Sequence, residues 1–183
     1  DFNFNAHVHI LQNINFTIRE NSITVISGEL GSGKSLLLNM MAGFYEPSAG
    51  SILFNKIPLK NIDKNKLRTE IGVYLEDMRI IQGTVQENIL LGNETSSSED
   101  ILRLSEQIGA ENISNLFSSG FLTEISETDP EISFSSKKKI LLLRALMGNK
   151  HLLLLEDPID GMNEKFKFKM LQHLQNIKHM TTI

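Results

Sequence analysis

The sequence contains no cysteine among its 183 residues, which excludes both a disulfide framework and a cysteine metal site. Its net charge is −4, and its one basic run, the lysines at 137–139, is too short to attract nucleic acid. No stretch approaches eighteen apolar residues, and the first residues lack the basic start of a signal peptide. These absences favour the cytoplasm and a main partner other than nucleic acid.

The composition is that of an ordinary globular domain. Hydrophobic residues make up 40% of the chain and charged residues 22%, and the length fits one main hydrophobic core. The sequence starts without Met and stops at 181–183 in a segment that resembles a strand. We therefore expect a fragment of a longer protein.

Predicted strands and helices alternate at both ends of the chain, whereas the stretch from about Met78 to Ala145 is helical in pattern. Strands are predicted at 22–27, 51–54, 71–75 and 151–155 and from Thr181, and helices at 34–42, 97–108 and 137–147. The consecutive leucines at 152–155 favour a strand buried on both faces, as in a parallel sheet. A last helix is predicted to have one apolar face, formed by Phe166, Met170, Leu171, Leu174 and Ile177. The pattern predicts an α/β core with a helical insertion.

The segment 28–35, Gly-Glu-Leu-Gly-Ser-Gly-Lys-Ser, fits the phosphate-binding pattern G-x-x-x-x-G-K-[ST] and lies between a predicted strand and a predicted helix. Backbone amides would cradle phosphates, Lys34 would reach the β and γ phosphates, and Ser35 would offer its hydroxyl to Mg²⁺. The alternative is a glycine-rich turn with a chance lysine. Nucleotide contacts are predicted at Gly28, Glu29, Leu30, Gly31, Ser32, Gly33, Lys34, Ser35 and Leu36.

From Phe4 to Ile183 the order of features resembles the ATP-binding domain of ABC transporters. The segment 10–18 resembles that family's first strand, and Phe4 falls where an aromatic ring stacks on adenine, with packing in the core as the alternative. Residues 71–77 resemble the family's Q-loop. Residues 83–92, which begin with Gly-Thr-Val-Gln-Glu-Asn-Ile, resemble a segment found in exporter-type members. In the family this segment faces the transmembrane helices. The alternative is a strand and a capped helix without a partner.

The resemblance implies a fold and a set of partners. The fold class is α/β, a P-loop NTPase of RecA-like type with a parallel-sheet core, an antiparallel β edge and an inserted α-helical subdomain. The core would comprise 1–77 and 146–183, and the helical subdomain 78–145. The resemblance also implies ATP and Mg²⁺ as ligands, a transmembrane domain and a second nucleotide-binding domain as partners, and a place at the cytoplasmic face of the cell membrane.

The Q-loop and Walker B motifs depart from the family pattern. Glu76 replaces the Q-loop glutamine, and its carboxylate remains a suitable Mg²⁺ ligand. After the leucine strand the family's Asp-Glu order is reversed, so Glu156 would hold Mg²⁺ and Asp157 would position the attacking water. Asp157 is one methylene, about 1.5 Å, too short, and a shift of about 1 Å can cost 10²-fold in rate. We predict ATP binding with slow hydrolysis, with Asp157, Glu76 and Lys34 as catalytic residues and Ser35, Glu76 and Glu156 as metal ligands.

The signature motif, Leu-Ser-Gly-Gly-Gln in the family, aligns with Ile-Ser-Phe-Ser-Ser at 132–136. Ser133 is retained and Ser135 replaces a glycine, and both are predicted to contact the nucleotide held by a partner domain. Phe134 places a ring where a family glycine lets the backbone approach the phosphate. Alone, the stretch is typical of an N-capped helix start.

The resemblance implies that the chain is the ATP-binding and ATP-hydrolysing module of an ABC exporter, powering transport across a membrane. Two other functions stay open. A regulatory subunit could bind ATP and dimerise with little or no hydrolysis, and the substitutions at 76, 134, 135 and 157 favour it. A soluble ABC-type ATPase acting on DNA or ribosomes is the third possibility, although the coiled-coil insertion, tandem domains or basic surfaces typical of that class are not visible.

Overall fold

The computed structural model describes residues 2–5, 8–93, 95–113, 117–130, 132–177 and 180–183, with side chains described from Ile10 onward. The strands in these ranges are β1 (Phe2–Asn5), β2 (Val8–Leu11), β3 (Leu53–Phe54), β4 (Ile57–Pro58), β5 (Ile71–Tyr74), β6 (Gly83–Thr84), β7 (Glu124–Ile125), β8 (Leu152–Leu155) and β9 (Thr181–Thr182). The helices are α1 (Lys34–Met41), α2 (Lys64–Glu70), α3 (Val85–Leu90), α4 (Ser98–Ile108), α5 (Phe134–Leu146) and α6 (Glu164–Asn176). Strands and helices alternate at both ends, which confirms the α/β class.

A parallel sheet in the order β5-β8-β9 forms the centre of the fold. β5 and β8 pair in register over four residues, from Ile71 opposite Leu152 to Tyr74 opposite Leu155. Antiparallel pairs, β1 with β2 and β3 with β4, precede this sheet in the chain. The parallel core and the antiparallel strands are both as predicted.

The four leucines of β8 are all buried, as expected for a strand covered on both faces. Leu153 and Leu155 belong to one hydrophobic core, which is filled mainly from α3, α4, α5 and α6. Leu152 and Leu154 belong to a second core, which includes side chains of α1 and α2. Because side chains alternate along a strand, β8 contributes to both cores at once.

The prediction of a strand over 22–27 is too long. Only Ile23 forms a bridge, with Thr182 of β9, and the Thr24 amide donates to the Thr182 carbonyl at 2.8 Å. β9 has two residues, and no described strand pairs with 25–27. The β-branched residues therefore favour an extended chain here, but the ladder ends before the phosphate-binding loop begins.

Other predicted boundaries also differ. β2 ends at Leu11, and Asn13 has a φ of 52°, so the strand predicted at 10–18 does not continue. β3 is shorter than predicted, and α5 begins at Phe134, before the predicted start at 137, because Ser133 caps it. Leu171 is 45% exposed and does not share the buried face of α6.

The middle of the chain is largely helical as predicted, but an antiparallel pair, β6 with β7, lies within it. α3 and α4 both begin with a capping box, Thr84 with Glu87 and Ser97 with Asp100. In each box the two side chains satisfy each other's backbone amides, which fixes the helix start. Among the described residues, no helix has the length and apolar character needed to cross a membrane.

Candidate nucleotide-binding site

The predicted phosphate-binding loop leads directly into a helix. Lys34 and Ser35 are the first two residues of α1, and Gly33 caps the helix with a φ of 89°. A Cβ atom on Gly33 would lie 2.8 Å from the Leu11 side chain, so backbone conformation and space both require glycine. Gly31 also has a positive φ, 80°, but a Cβ there would have no neighbour within 4 Å. The loop is therefore supported by β2 at its end and open at its centre.

The Lys34 ammonium connects the end of this loop to its beginning. Its Nζ donates to the carbonyl oxygens of Gly28 at 2.9 Å and Glu29 at 2.8 Å. The loop is closed further by the Ser32 amide, which donates to the Glu29 carbonyl at 3.2 Å. A positive charge beside a helix N-terminus and glycine amides is the arrangement that binds phosphate.

The other predicted nucleotide contacts lie on the same segment or outside what can be described. Leu30 is fully exposed at the loop, whereas Leu36 is partly buried against Leu11 and Met40. Phe4 lies on β1, but its side chain is outside the described part, so its stacking on adenine stays a prediction.

The predicted acidic ligands come together at the carboxyl ends of β5 and β8. The Glu156 amide donates to the Tyr74 carbonyl at 2.9 Å, continuing the ladder past β8. The Glu156 carboxylate accepts a hydrogen bond from the Glu76 amide at 3.0 Å. Glu76 and Glu156, 80 residues apart in sequence, are thus held side by side by the parallel pairing of their strands.

Negative charge concentrates at this end of the sheet. Burial, followed by the carboxylates of Glu76, Glu156, Asp157 and Asp160, raises the pKa of Tyr74 to about 12. Asp157 is exposed and has a φ of 42°, a left-handed conformation that Asp tolerates better than most residues. Carboxylate and hydroxyl oxygens are suitable Mg²⁺ ligands. In the described ranges, no group of three or more His, Asp and Glu side chains is arranged so that it could hold a metal ion.

The predicted signature residues form the start of α5. The Ser133 hydroxyl accepts from the Ser136 amide at 3.1 Å and caps the helix, and it lies 2.8 Å from the Ser136 hydroxyl and 3.1 Å from the Ser135 hydroxyl. Phe134 is 66% exposed beside them. Both the predicted cap and the bulky ring at this position are therefore present.

Lys138 is a residue of the site that the sequence interpretation missed. It is 4% exposed, and its Nζ donates to the carbonyl oxygens of Asp157 and Asp160, both at 2.7 Å. A signal was available in the sequence, because Lys138 is three, four and seven residues before Leu141, Leu142 and Ala145 on one face of a helix. That spacing places a lysine on a buried face.

A second missed group joins the segment before α3 to α5. Asn88 is fully buried, and its side chain bonds the Ile81 amide at 2.9 Å, the Ile81 carbonyl at 2.9 Å and the Thr84 carbonyl at 3.0 Å. The Arg144 guanidinium donates to the Asn88 side chain at 2.8 Å and to its carbonyl at 2.7 Å. Burial lowers the pKa of Arg144. The segment resembling the exporter contact is therefore fixed to α5 through the Arg144 guanidinium, which also donates to the Arg79 carbonyl at 3.0 Å.

Substituting Asn88 with Ala should lower the free energy of unfolding by about 2 to 3 kcal/mol, because it leaves buried donors and acceptors without partners. Gln86 on the same helix accepts a side-chain hydrogen bond from Ser98 at 3.0 Å, so Gln86→Ala should cost about 0.5 kcal/mol or less. Thermal unfolding of both variants measures the difference. Equal shifts in the two variants would contradict the role given to Asn88.

The geometry agrees with a comparison of the chain against family models. The model described as ABC transporter matches residues 11–160, which is more than half of the chain and includes the phosphate-binding loop and the acidic strand ends. The chain belongs to the ABC transporter family. Membership implies ATP binding and, for the family in general, ATPase activity.

Curated relatives in this family match nearly the whole chain. A Bacillus subtilis (strain 168) protein named "Probable multidrug resistance ABC transporter ATP-binding/permease protein YheI" is 31% identical over 173 residues, which are 94% of this chain and 30% of that protein. The "Exotoxin translocation ATP-binding protein PaxB" of Pasteurella aerogenes is 28% identical over 174 residues, 95% of this chain and 24% of that protein. The chain spans less than a third of the length of these relatives.

A solved structure shares the fold of this ABC chain. A bacterial Atm1-family ABC exporter with ATP bound matches with a TM-score of 0.87 and 22% sequence identity, covering 100% of this chain and 32% of that one. Together with the family match, this likeness confirms the P-loop NTPase fold with its parallel sheet, antiparallel strands and helices.

Proposed function

We propose that the chain is the ATP-binding and ATP-hydrolysing module of an ABC exporter, which powers transport across a membrane. One observation carries the proposal. The Lys34 ammonium donates hydrogen bonds to the first two carbonyls of the loop at 28–35, and the loop leads directly into the N-terminus of α1. The exporter part of the proposal is supported by the names of the relatives and by the likeness to a solved exporter.

Each predicted residue has a role in this proposal. The loop amides, Lys34 and the α1 N-terminus bind the phosphates, and Phe4 stacks on adenine. Ser35, Glu76 and Glu156 hold Mg²⁺, which would neutralise charge on the phosphates, and Asp157 orients the attacking water. Ser133 and Ser135 contact the nucleotide bound to a partner domain.

The proposed partners are a transmembrane domain and a second nucleotide-binding domain, identical or different, and the proposed place is the cytoplasmic face of the cell membrane. Nucleic acid is not a proposed partner, because the net charge of −4 gives no attraction to it. Within the chain we propose that 1–77 and 146–183 form the ATP-binding core and 78–145 the helical subdomain.

A regulatory subunit with little hydrolysis is the second candidate function. The ring of Phe134 at the start of α5 favours it, because 66% of that residue is exposed where a glycine backbone would approach a partner's phosphate. The short side chain of Asp157 favours it as well. Both features lower turnover, and neither lies in the phosphate-binding loop.

Binding of Mg·ATP tests the proposal. Lys34→Ala should weaken the affinity for Mg·ATP at least about 10-fold, because a charge-assisted hydrogen bond contributes about 1.5 to 3 kcal/mol. Titration calorimetry on the full-length protein measures the dissociation constant, with the exposed Lys60→Ala as the control variant. The proposal fails if the parent takes up no Mg·ATP at millimolar concentration, or if Lys34→Ala binds as the parent does.

A further inference from the structure

Lys138 is a buried lysine on α5, and packing of the helix does not by itself explain a charged side chain there. Transfer of an ammonium group out of water is unfavourable unless the charge is paired or hydrogen-bonded. In this chain the Nζ of Lys138 donates to the Asp157 and Asp160 carbonyls at 2.7 Å each. These two carbonyls begin and end the turn that follows Glu156, so one side chain spans the turn.

Two aromatic rings enclose the same ammonium. Its Nζ lies 5.6 Å from the centre of the Tyr74 ring and 5.8 Å from the centre of the Phe134 ring, both within the range of a cation–π contact. Phe134 also lies close to the turn, because a Cβ atom built on Gly161 would lie 3.2 Å from its ring. The start of α5 and the turn after β8 are therefore joined by an ammonium and a ring.

The charged groups around Lys138 are carboxylates, which favour a positively charged side chain over a neutral one. Burial lowers the pKa of Lys138, and the carboxylates of Asp160, Asp157 and Glu76 oppose that shift. The ammonium thus lies among acids that would otherwise repel one another, while its hydrogen bonds go to the backbone. One of these backbone contacts is to Asp157 itself, the residue that has the left-handed conformation.

We propose that Lys138 is a positioning residue for ATP hydrolysis, which fixes the 157–161 turn against the start of α5 and so sets where Asp157 meets the attacking water. This inference rests on the proposed function. It assigns Lys138 no contact with the nucleotide. Its effect should therefore fall on turnover and leave the affinity for Mg·ATP unchanged.

The test compares Lys138→Met with Lys138→Arg in the full-length protein. We expect Lys138→Met to lower kcat about 10-fold, since a misplacement of about 1 Å is worth up to 10²-fold, with KM and the dissociation constant for Mg·ATP within about twofold of the parent. Hydrogen exchange of the backbone amides at 157 and 159–161 should become at least about 10-fold faster, Pro158 having no amide hydrogen. Lys138→Arg keeps the charge and the hydrogen-bond donors and should recover part of the kcat lost in Lys138→Met, less than fully because the planar guanidinium is larger than the ammonium at this buried site.

Lys139→Met is the matched control, because Lys139 is the next residue of α5, is half-buried and makes no described hydrogen bond or ion pair. It should leave kcat and the exchange of the turn unchanged. If Lys138→Met binds Mg·ATP and keeps the parental kcat, the role proposed for Lys138 is wrong and the proposed function is untouched. The same holds if Lys138→Met binds Mg·ATP with a lowered kcat and Lys138→Arg recovers none of it. A parent that binds Mg·ATP without turnover also overturns the role of Lys138. A parent that does not bind Mg·ATP overturns the proposed function as well.

Discussion

Asp157→Glu should raise the kcat of ATP hydrolysis by about 10- to 100-fold in the full-length protein. The longer side chain carries the carboxylate about 1.5 Å further, which removes the misplacement from which we predict slow turnover. Some stability should be lost, because Glu tolerates the φ of 42° at this position less well than Asp. Release of phosphate at saturating Mg·ATP measures kcat, and calorimetry shows whether binding is retained.

The neighbouring carboxylate provides the control. Glu156→Asp shortens the side chain that accepts from the Glu76 amide, so it should break that 3.0 Å bond and give no gain in kcat. A parental kcat in Asp157→Glu with Mg·ATP binding intact would contradict the assignment of Asp157. The bulk of Phe134 would then be the remaining explanation for slow turnover.

Gly72→Ala should lower the free energy of unfolding by about 3 kcal/mol or more. A Cβ atom at this position would lie 1.9 Å from the Ala145 carbonyl oxygen and 2.7 Å from a methyl group of Leu153. Because the first obstacle is backbone, β5 or α5 has to move, and overpacking of this kind typically costs about 1 to 3 kcal/mol and occasionally more. The melting temperature should fall by about 6 to 12 °C, since 1 kcal/mol corresponds to about 2 to 4 °C at this size.

Gly50→Ala distinguishes a steric clash from the general effect of replacing a glycine. Gly50 has a φ of 85°, but a Cβ atom there would meet nothing within 4 Å. Its substitution should cost about 1 to 2 kcal/mol from the left-handed conformation alone. Equal losses in Gly72→Ala and Gly50→Ala would show that the contact between β5 and α5 can relax.

The features predicted correctly are those that local sequence determines. A run of four leucines bounded by polar residues is compatible with a central strand, and β8 is that strand. The phosphate-binding loop follows from residue spacing, because the left-handed conformation at Gly33 and the lysine at the helix start are both local requirements. The Ser97 cap of α4 was predicted for the same reason.

The features missed depend on contacts between distant residues. The extent of the strand at 22–27 depends on its partner β9, which is only two residues long and whose Thr182 pairs with Ile23 from 159 residues away. The role of Lys138 depends on where the 157–161 turn lies, and a lysine in a basic run is usually expected at the surface. Asn88 is similar, since its partners include Arg144 from another helix.

The strands that pair in the sheet are far apart in the sequence, so during synthesis on the ribosome the nucleotide site can form only late. β5 pairs with β8, which is made about 80 residues later, and the segment leading to the phosphate-binding loop bonds to Thr181 and Thr182 of β9. Long loops must therefore close before these distant contacts form, at an entropic cost that grows with their length. The nascent chain exposes the apolar side chains of an unfinished sheet until β8 and β9 have emerged, and such surfaces favour aggregation.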